Sequence, residues 1–115
     1  MDRKKTIFIT GSSRGIGFGL AKYYSLNGFQ VIINGNNLKN LKKASKKLGN
    51  CPYYKCNLTD ENKIKNLFLK LKKRFRKIDI LICNYGNSDF KNNDMNIKFA
   101  LEHNFMTTFN TVKYS

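Results

Sequence analysis

Acid is scarce in this chain. Of 115 residues, 22 are Lys or Arg and seven are Asp or Glu, a formal net charge of +15. Cysteine is scarce too. Cys51, Cys56 and Cys83 make an odd count with no C-x-x-C pair, a pattern that argues against a disulfide framework and against a zinc or other metal site. Cys56 and Cys83 each end an apolar run, where a small buried or half-buried side chain is expected. The single histidine, His103, has no obvious partner and is expected on a helix surface or in packing. No apolar run approaches the roughly 20 residues of a membrane helix. The basic N-terminus leads into a short strand-like segment instead of the apolar core of about 7–15 residues that a secretory signal needs. The cytoplasm is therefore the expected compartment. No internal repeat or low-complexity segment stands out, and the one proline, Pro52, sits just before a strand. What is present, 41% apolar residues over this length, suits one globular domain with a modest core.

The excess of cations would suit nucleic acid or an anionic membrane surface. The lysines, however, fall at helical spacing opposite apolar stripes, and the chain is also rich in Asn, Ile and Tyr, which fits a bias in base composition. A solvated face is the preferred explanation, and neither a nucleic-acid nor a membrane partner is expected. Binding to random DNA with a steep salt slope, without dinucleotide affinity, would reverse that preference.

Apolar runs alternate with amphipathic stretches. Strands are predicted at 6–10, 29–34, 53–56 and 78–83, and helices at 15–27, 38–48 and 62–77. A further helical pattern starts at about residue 95 and runs to Ser115. In the first helix Ile16, Leu20, Tyr23 and Tyr24 fall near one face. In the third, Ile64, Leu67, Phe68, Leu71, Phe75 and Ile78 keep the three-or-four spacing of one buried stripe, with Lys63, Lys70, Lys73, Arg74 and Lys77 opposite. Thr59 or Asp60 is positioned to cap it. The run at 78–83 is continuous in Ile and Leu, as in a central parallel strand buried on both faces. Strands alternating with helices mean βαβ units. The expected fold is α/β, a Rossmann-type doubly wound parallel sheet, incomplete at four strands in the order 3-2-1-4, with helices on both faces. Residues 11–17 and 84–86 then lie at the carboxyl ends of strands one and four and face one crevice, the switch point of the sheet.

The first of these segments, Thr10-Gly11-Ser12-Ser13-Arg14-Gly15-Ile16-Gly17, links strand to helix and would present backbone N–H groups and a helix N-terminus to a phosphate. Gly11 allows the tight turn, Gly15 lets a pyrophosphate approach, and Gly17 lets the helix pack near the sheet. The spacing is G-x-x-x-G-x-G and not G-x-G-x-x-G, and no G-K-[ST] follows. This segment resembles the T-G-x-x-x-G-I-G signature of the short-chain dehydrogenases/reductases. Asp79-Ile80-Leu81-Ile82-Cys83-Asn84-Tyr85-Gly86 resembles the same family's D-x-L-x-N-N-A-G segment, and Cys56-Asn57-Leu58-Thr59-Asp60 its stretch beside the adenine. Asn104 falls where the family carries a helix asparagine of its catalytic tetrad. The resemblance covers essentially the whole chain, in order.

It implies a single NAD(P)-binding Rossmann domain over 1–115. Ser12, Ser13, Arg14 and Ile16 would surround the diphosphate and adenosine ribose, Asn57 and Leu58 would flank the adenine, and Asn84, Tyr85 and Gly86 would lie along the other ribose. Asn104 would hold a water linking the active-site lysine of a complete family member to solvent. Strand two ends Asn34-Gly35-Asn36-Asn37, with no carboxylate to accept from a ribose 2′-OH. Arg14 could clamp a 2′-phosphate, so NADP is favoured over NAD. Asn36 stands where the family's second basic residue usually does, and Lys39 is the nearest cation in sequence. Tyr85 is bulkier than the family's alanine, and Asn57 replaces an aspartate.

Family catalysis needs a serine and Tyr-x-x-x-Lys, because an unperturbed phenol, pKa about 10, is a poor base at neutral pH. No tyrosine here has a lysine four residues on. The chain thus resembles an amino-terminal half, expected to be inactive alone, to leave strand four as an open sheet edge, and to belong to a homo-oligomer at full length. The expected activity of the whole is NAD(P)-dependent hydride transfer to or from a carbonyl or alcohol compound. The alternative is a non-catalytic dinucleotide-binding module.

Overall fold

The computed structural model describes residues 4–84. Their elements run β1 (Thr6–Ile9), α1 (Gly15–Leu26), β2 (Gln30–Gly35), α2 (Leu38–Lys47), β3 (Tyr53–Lys55), α3 (Glu61–Phe75) and β4 (Ile80–Ile82). The strands form one sheet in the order β3-β2-β1-β4, with every pairing parallel. This is the predicted Rossmann-type order, with helices on both faces.

Side-chain alternation sorts the core into two layers. Ile7, Ile9, Val31 and Ile33 point to one face and pack with Ala21 of α1 and Leu41, Ala44 and Leu48 from α2 and its end. Phe8 and Ile32 point to the other and meet Ile64, Leu67, Phe68 and Leu71 of α3. Phe8 and Phe68 stack edge to face, with centroids 5.7 Å apart. Fully burying a side chain of this size contributes about 1.5–3 kcal/mol.

Two expectations change. The stripe predicted for α1 is turned: Ile16 is 77% exposed and Tyr23 60% exposed, while Gly17 and Ala21 are the buried residues. Helix and sheet approach most closely where side chains are smallest, so the bulky Phe18, Leu20 and Tyr24 take the flanks. Nor is β4 buried on both faces. Ile80, Leu81 and Ile82 are half-buried, because β4 closes the order of described strands and pairs there only with β1. Its start is pinned to β1: the Asp79 amide donates to Thr6 O at 2.9 Å and the Thr6 amide to Asp79 Oδ2 at 2.7 Å.

Of the two capping candidates for α3, Asp60 is the one used. Its Oδ1 accepts from the amides of Asn62 and Lys63 at 3.0 and 3.2 Å, while the Thr59 hydroxyl donates to Asn57 Oδ1. Asp60→Ala should cost about 1 kcal/mol, read as a lower urea midpoint at unchanged slope, and Thr59→Ala should cost less. No helix among the described residues is long and apolar enough to cross a membrane.

Candidate functional site

β1 ends at Ile9, one residue earlier than expected, because the chain must turn to meet its neighbours. The Thr10 amide donates to Ile82 O at 3.0 Å, and Gly11 takes a φ of 58°, where a Cβ would be strained. Ser12 is fully buried. Its hydroxyl donates to Ile9 O at 2.7 Å and accepts from the Asn34 amide at 3.0 Å, while its own amide donates to Asn34 O at 2.8 Å. Asn34, also fully buried, completes the latch: its Oδ1 accepts from the Gly11 amide at 3.2 Å and its Nδ2 donates to Tyr54 O at 3.1 Å. One side chain thus joins the glycine turn to the ends of β2 and β3.

From the other side, the Asn84 amide donates to Thr10 Oγ1 at 2.9 Å and its Nδ2 to Gly11 O at 3.3 Å. The two segments expected to converge from the ends of β1 and β4 therefore do so at Asn84. Gly17 makes the approach possible: a Cβ there would run into Gly11 O and stand 2.6 Å from Asn84 Nδ2 and 2.9 Å from Ser12 Cα.

The start of α1 differs from those of α2 and α3. Asn37 caps α2 through its Oδ1, accepting from the Asn40 amide at 3.0 Å, and Asp60 caps α3. At α1 the capping position is Arg14, whose side chain makes no capping bond, and the first turn has no acidic residue. The first amides of a helix have no intrahelical acceptor and carry the positive end of its dipole. Here they stand at the carboxyl end of β1, at the switch point. Gly15, at φ 63°, has open space where a Cβ would be.

The remaining expected site residues divide by exposure. Ser13 and Gly11 are half-buried; Arg14, Gly15, Asn36 and Asn57 are exposed. Asn36 and Asn57 line one hollow of about 430 Å³ with Lys55, Cys56 and Lys63. Ser13, Arg14 and Gly15 line a neighbouring groove of about 490 Å³ against α2. Leu58 is fully buried among Phe8, Ile32 and Ile64, so its side chain serves the core. Ser12 likewise spends its hydroxyl and amide inward and shapes the turn. Tyr85, Gly86 and Asn104 lie outside the described residues. A separate hollow of about 530 Å³ lies beside Asn50 and Pro52, before the start of β3, and none of the described site residues lines it.

Burial pushes the thiols of Cys51, Cys56 and Cys83 up from their ordinary values, with no influence strong enough to reverse it. They stay protonated at neutral pH and offer no thiolate nucleophile. Asn34 is the site residue that local sequence patterns did not single out; its one signal is an amide side chain closing an apolar strand.

A family model described as short chain dehydrogenase matches residues 5–114. The chain is 40% identical over 83 residues to the 3-oxoacyl-[acyl-carrier-protein] reductase FabG of Rickettsia conorii, covering 71% of this chain and 33% of that protein. With the FabG of Rickettsia bellii it shares 34% identity over 121 aligned positions, 95% of this chain and 47% of the relative. It therefore spans between a third and half of these relatives. Among solved structures, ElxO with NADP bound superposes with a TM-score of 0.81 at 26% identity, over 97% of this chain and 49% of that one. A short chain dehydrogenase from Salmonella enterica serovar Typhi reaches 0.84 at 18% identity, over 97% of this chain and 51% of that one, a likeness of fold. With the glycine turn, the strand order and a family match along nearly its whole length, this chain belongs to the short-chain dehydrogenase/reductase family of oxidoreductases.

Proposed function

We propose that this chain binds a nicotinamide dinucleotide at the switch point, NADP in preference to NAD, as the cofactor half of an oxidoreductase acting on a small carbonyl or alcohol compound. One observation carries this: α1 opens without a side-chain cap at the carboxyl end of β1, behind a glycine turn latched on both sides. Its first amides are the donors a diphosphate would take. The site fits such a group in shape as well. Gly15 leaves open space in front of the turn, and Gly17 keeps the helix start against Gly11 and Ser12.

In this reading Gly11, Gly15 and Gly17 shape the cradle, and Ser12 and Asn34 hold it. Ser13, Arg14 and Ile16 border the diphosphate and adenosine ribose. Asn36 and Asn57, which share a hollow, flank the adenosine, with Leu58 contributing backbone alone. Asn84 lines the crevice from β4, followed by Tyr85 and Gly86, and Asn104 belongs to the proton path of a complete enzyme. When bound, the dinucleotide supplies the hydride; these residues hold and orient it. A homo-oligomer is the proposed state of the full-length protein.

The preference for NADP rests on Arg14 and on the strand-two end, where no carboxylate can accept from a 2′-OH or repel a 2′-phosphate. Titrating the chain with NADPH and NADH, followed by nicotinamide fluorescence, tests both parts. Arg14→Ala should weaken NADPH about tenfold, the loss of one exposed charge-assisted contact, and NADH far less. A folded sample that binds neither at millimolar concentration would refute the assignment.

A further inference from the structure

Arg14 faces a second cation that sequence order conceals. The groove beside the glycine turn is walled on one side by Ser13, Arg14 and Phe18 and on the other by Asn40, Lys43 and Lys47 of α2. These α2 positions are spaced three, four and seven apart, one face of a helix. Lys47 lies over the Phe18 ring, 5.9 Å from its centroid. Neither Arg14 nor Lys43 makes an ion pair among the described residues. No Asp or Glu occurs from Arg3 to Thr59, so nothing on β1, α1, β2, α2 or β3 neutralises this groove.

The end of β2 has little to offer a phosphate. The Asn34 side chain is spent on Gly11 and Tyr54, and Asn37 Oδ1 caps α2. Asn36 is exposed but neutral. Lys39, the nearest cation in sequence, lies off the groove. Lys55 and Lys63 share the hollow with Asn36 and Asn57, which no residue of the glycine turn lines. Among the described residues, the cations that line this groove with Arg14 come from α2.

We propose that Lys43 is the second 2′-phosphate contact, closing on the group from α2 while Arg14 closes from the turn, and that it takes over the specificity role left open by Asn36. The inference rests on the dinucleotide reading above. Two cations flanking a phosphate monoester discriminate it from a hydroxyl far better than one, since each contributes a charge-assisted bond that NADH cannot form.

The test is equilibrium binding of NADPH and of NADH to the 115-residue chain and its variants, each checked for fold by circular dichroism. Lys43→Ala should weaken NADPH about tenfold and NADH less than about twofold, and Lys43→Arg should keep most of the NADPH affinity. Lys46→Ala removes the same charge from the other flank of α2, where Lys46 lines a separate hollow, and should change either affinity less than about twofold. Equal losses for the two cofactors, no loss for NADPH, or a discrimination that follows Lys63→Ala would overturn the assignment of Lys43 and leave the dinucleotide site standing. A parent chain that binds neither cofactor would overturn both.

Discussion

Gly17→Ala should cost about 3 kcal/mol or more of folding stability, although alanine is the better helix former. The same change at Gly19, two residues along the same helix, should stabilise by about 0.5–1 kcal/mol. Space decides the opposite signs. A Cβ on Gly19 meets nothing within 4 Å, so only the gain in helix propensity remains. A Cβ on Gly17 drives into the Gly11 carbonyl and the Cα of Ser12, which are backbone and cannot swing aside, and into Asn84 Nδ2. Relief requires lifting α1 from the sheet or breaking the Asn84 bond to Gly11 O, and either opens the turn. Urea unfolding of the two variants should move the midpoints in opposite directions. In Gly17→Ala, whatever folds should also lose dinucleotide affinity, since the amides of α1 no longer face the crevice. Equal midpoints would mean that the helix does not sit as close to β1 as described.

The elements and their layers were legible because each leaves its own period in the sequence, and the strand order followed from the βαβ alternation. Ile64, Leu67, Phe68 and Leu71 repeat at helical spacing and are buried on one face. Ile7 and Ile9 alternate with Phe8, and the two sets feed opposite layers. The face of α1 was not legible by the same rule, because apolar periodicity seeks large side chains and this contact is made by Gly17 and Ala21. The unbroken Ile and Leu of 80–82 signal a strand covered on both faces, whereas among the described residues β4 pairs on one side, with β1, and these side chains are half-buried. At the site, the turn and its meeting with Asn84 followed from motif and topology together. The Asn34 latch and the placement of Lys43 did not. The first is a bond between residues 23 apart, and the second depends on how α1 and α2 lie against each other.

Asn34→Asp should make stability depend on pH in the sense opposite to that of an ordinary paired carboxylate. The wild-type amide is used from both ends: Oδ1 accepts from Gly11 N and Nδ2 donates to Tyr54 O, at full burial. A carboxylate keeps the acceptor but turns an oxygen toward the Tyr54 carbonyl, loses that donor and buries a charge. Protonated, the new side chain can donate to Tyr54 O as the amide does. Burial and that carbonyl both raise the folded-state pKa above the unfolded value of about 3.9. Between the two values the folded chain holds the extra proton, so stability falls as pH rises through this window and stays low above it. The variant should therefore unfold at higher urea at pH 4, relative to wild type, than at pH 7. Asn34→Ala removes both bonds at every pH. It strands the Gly11 amide and the Tyr54 carbonyl, each worth about 1–3 kcal/mol when buried without a partner, and should cost about 3–4 kcal/mol with no such window. If Asn34→Asp follows wild type across this range, the amide does not join the turn to β3, and the glycine turn is held by Ser12 and Asn84 alone.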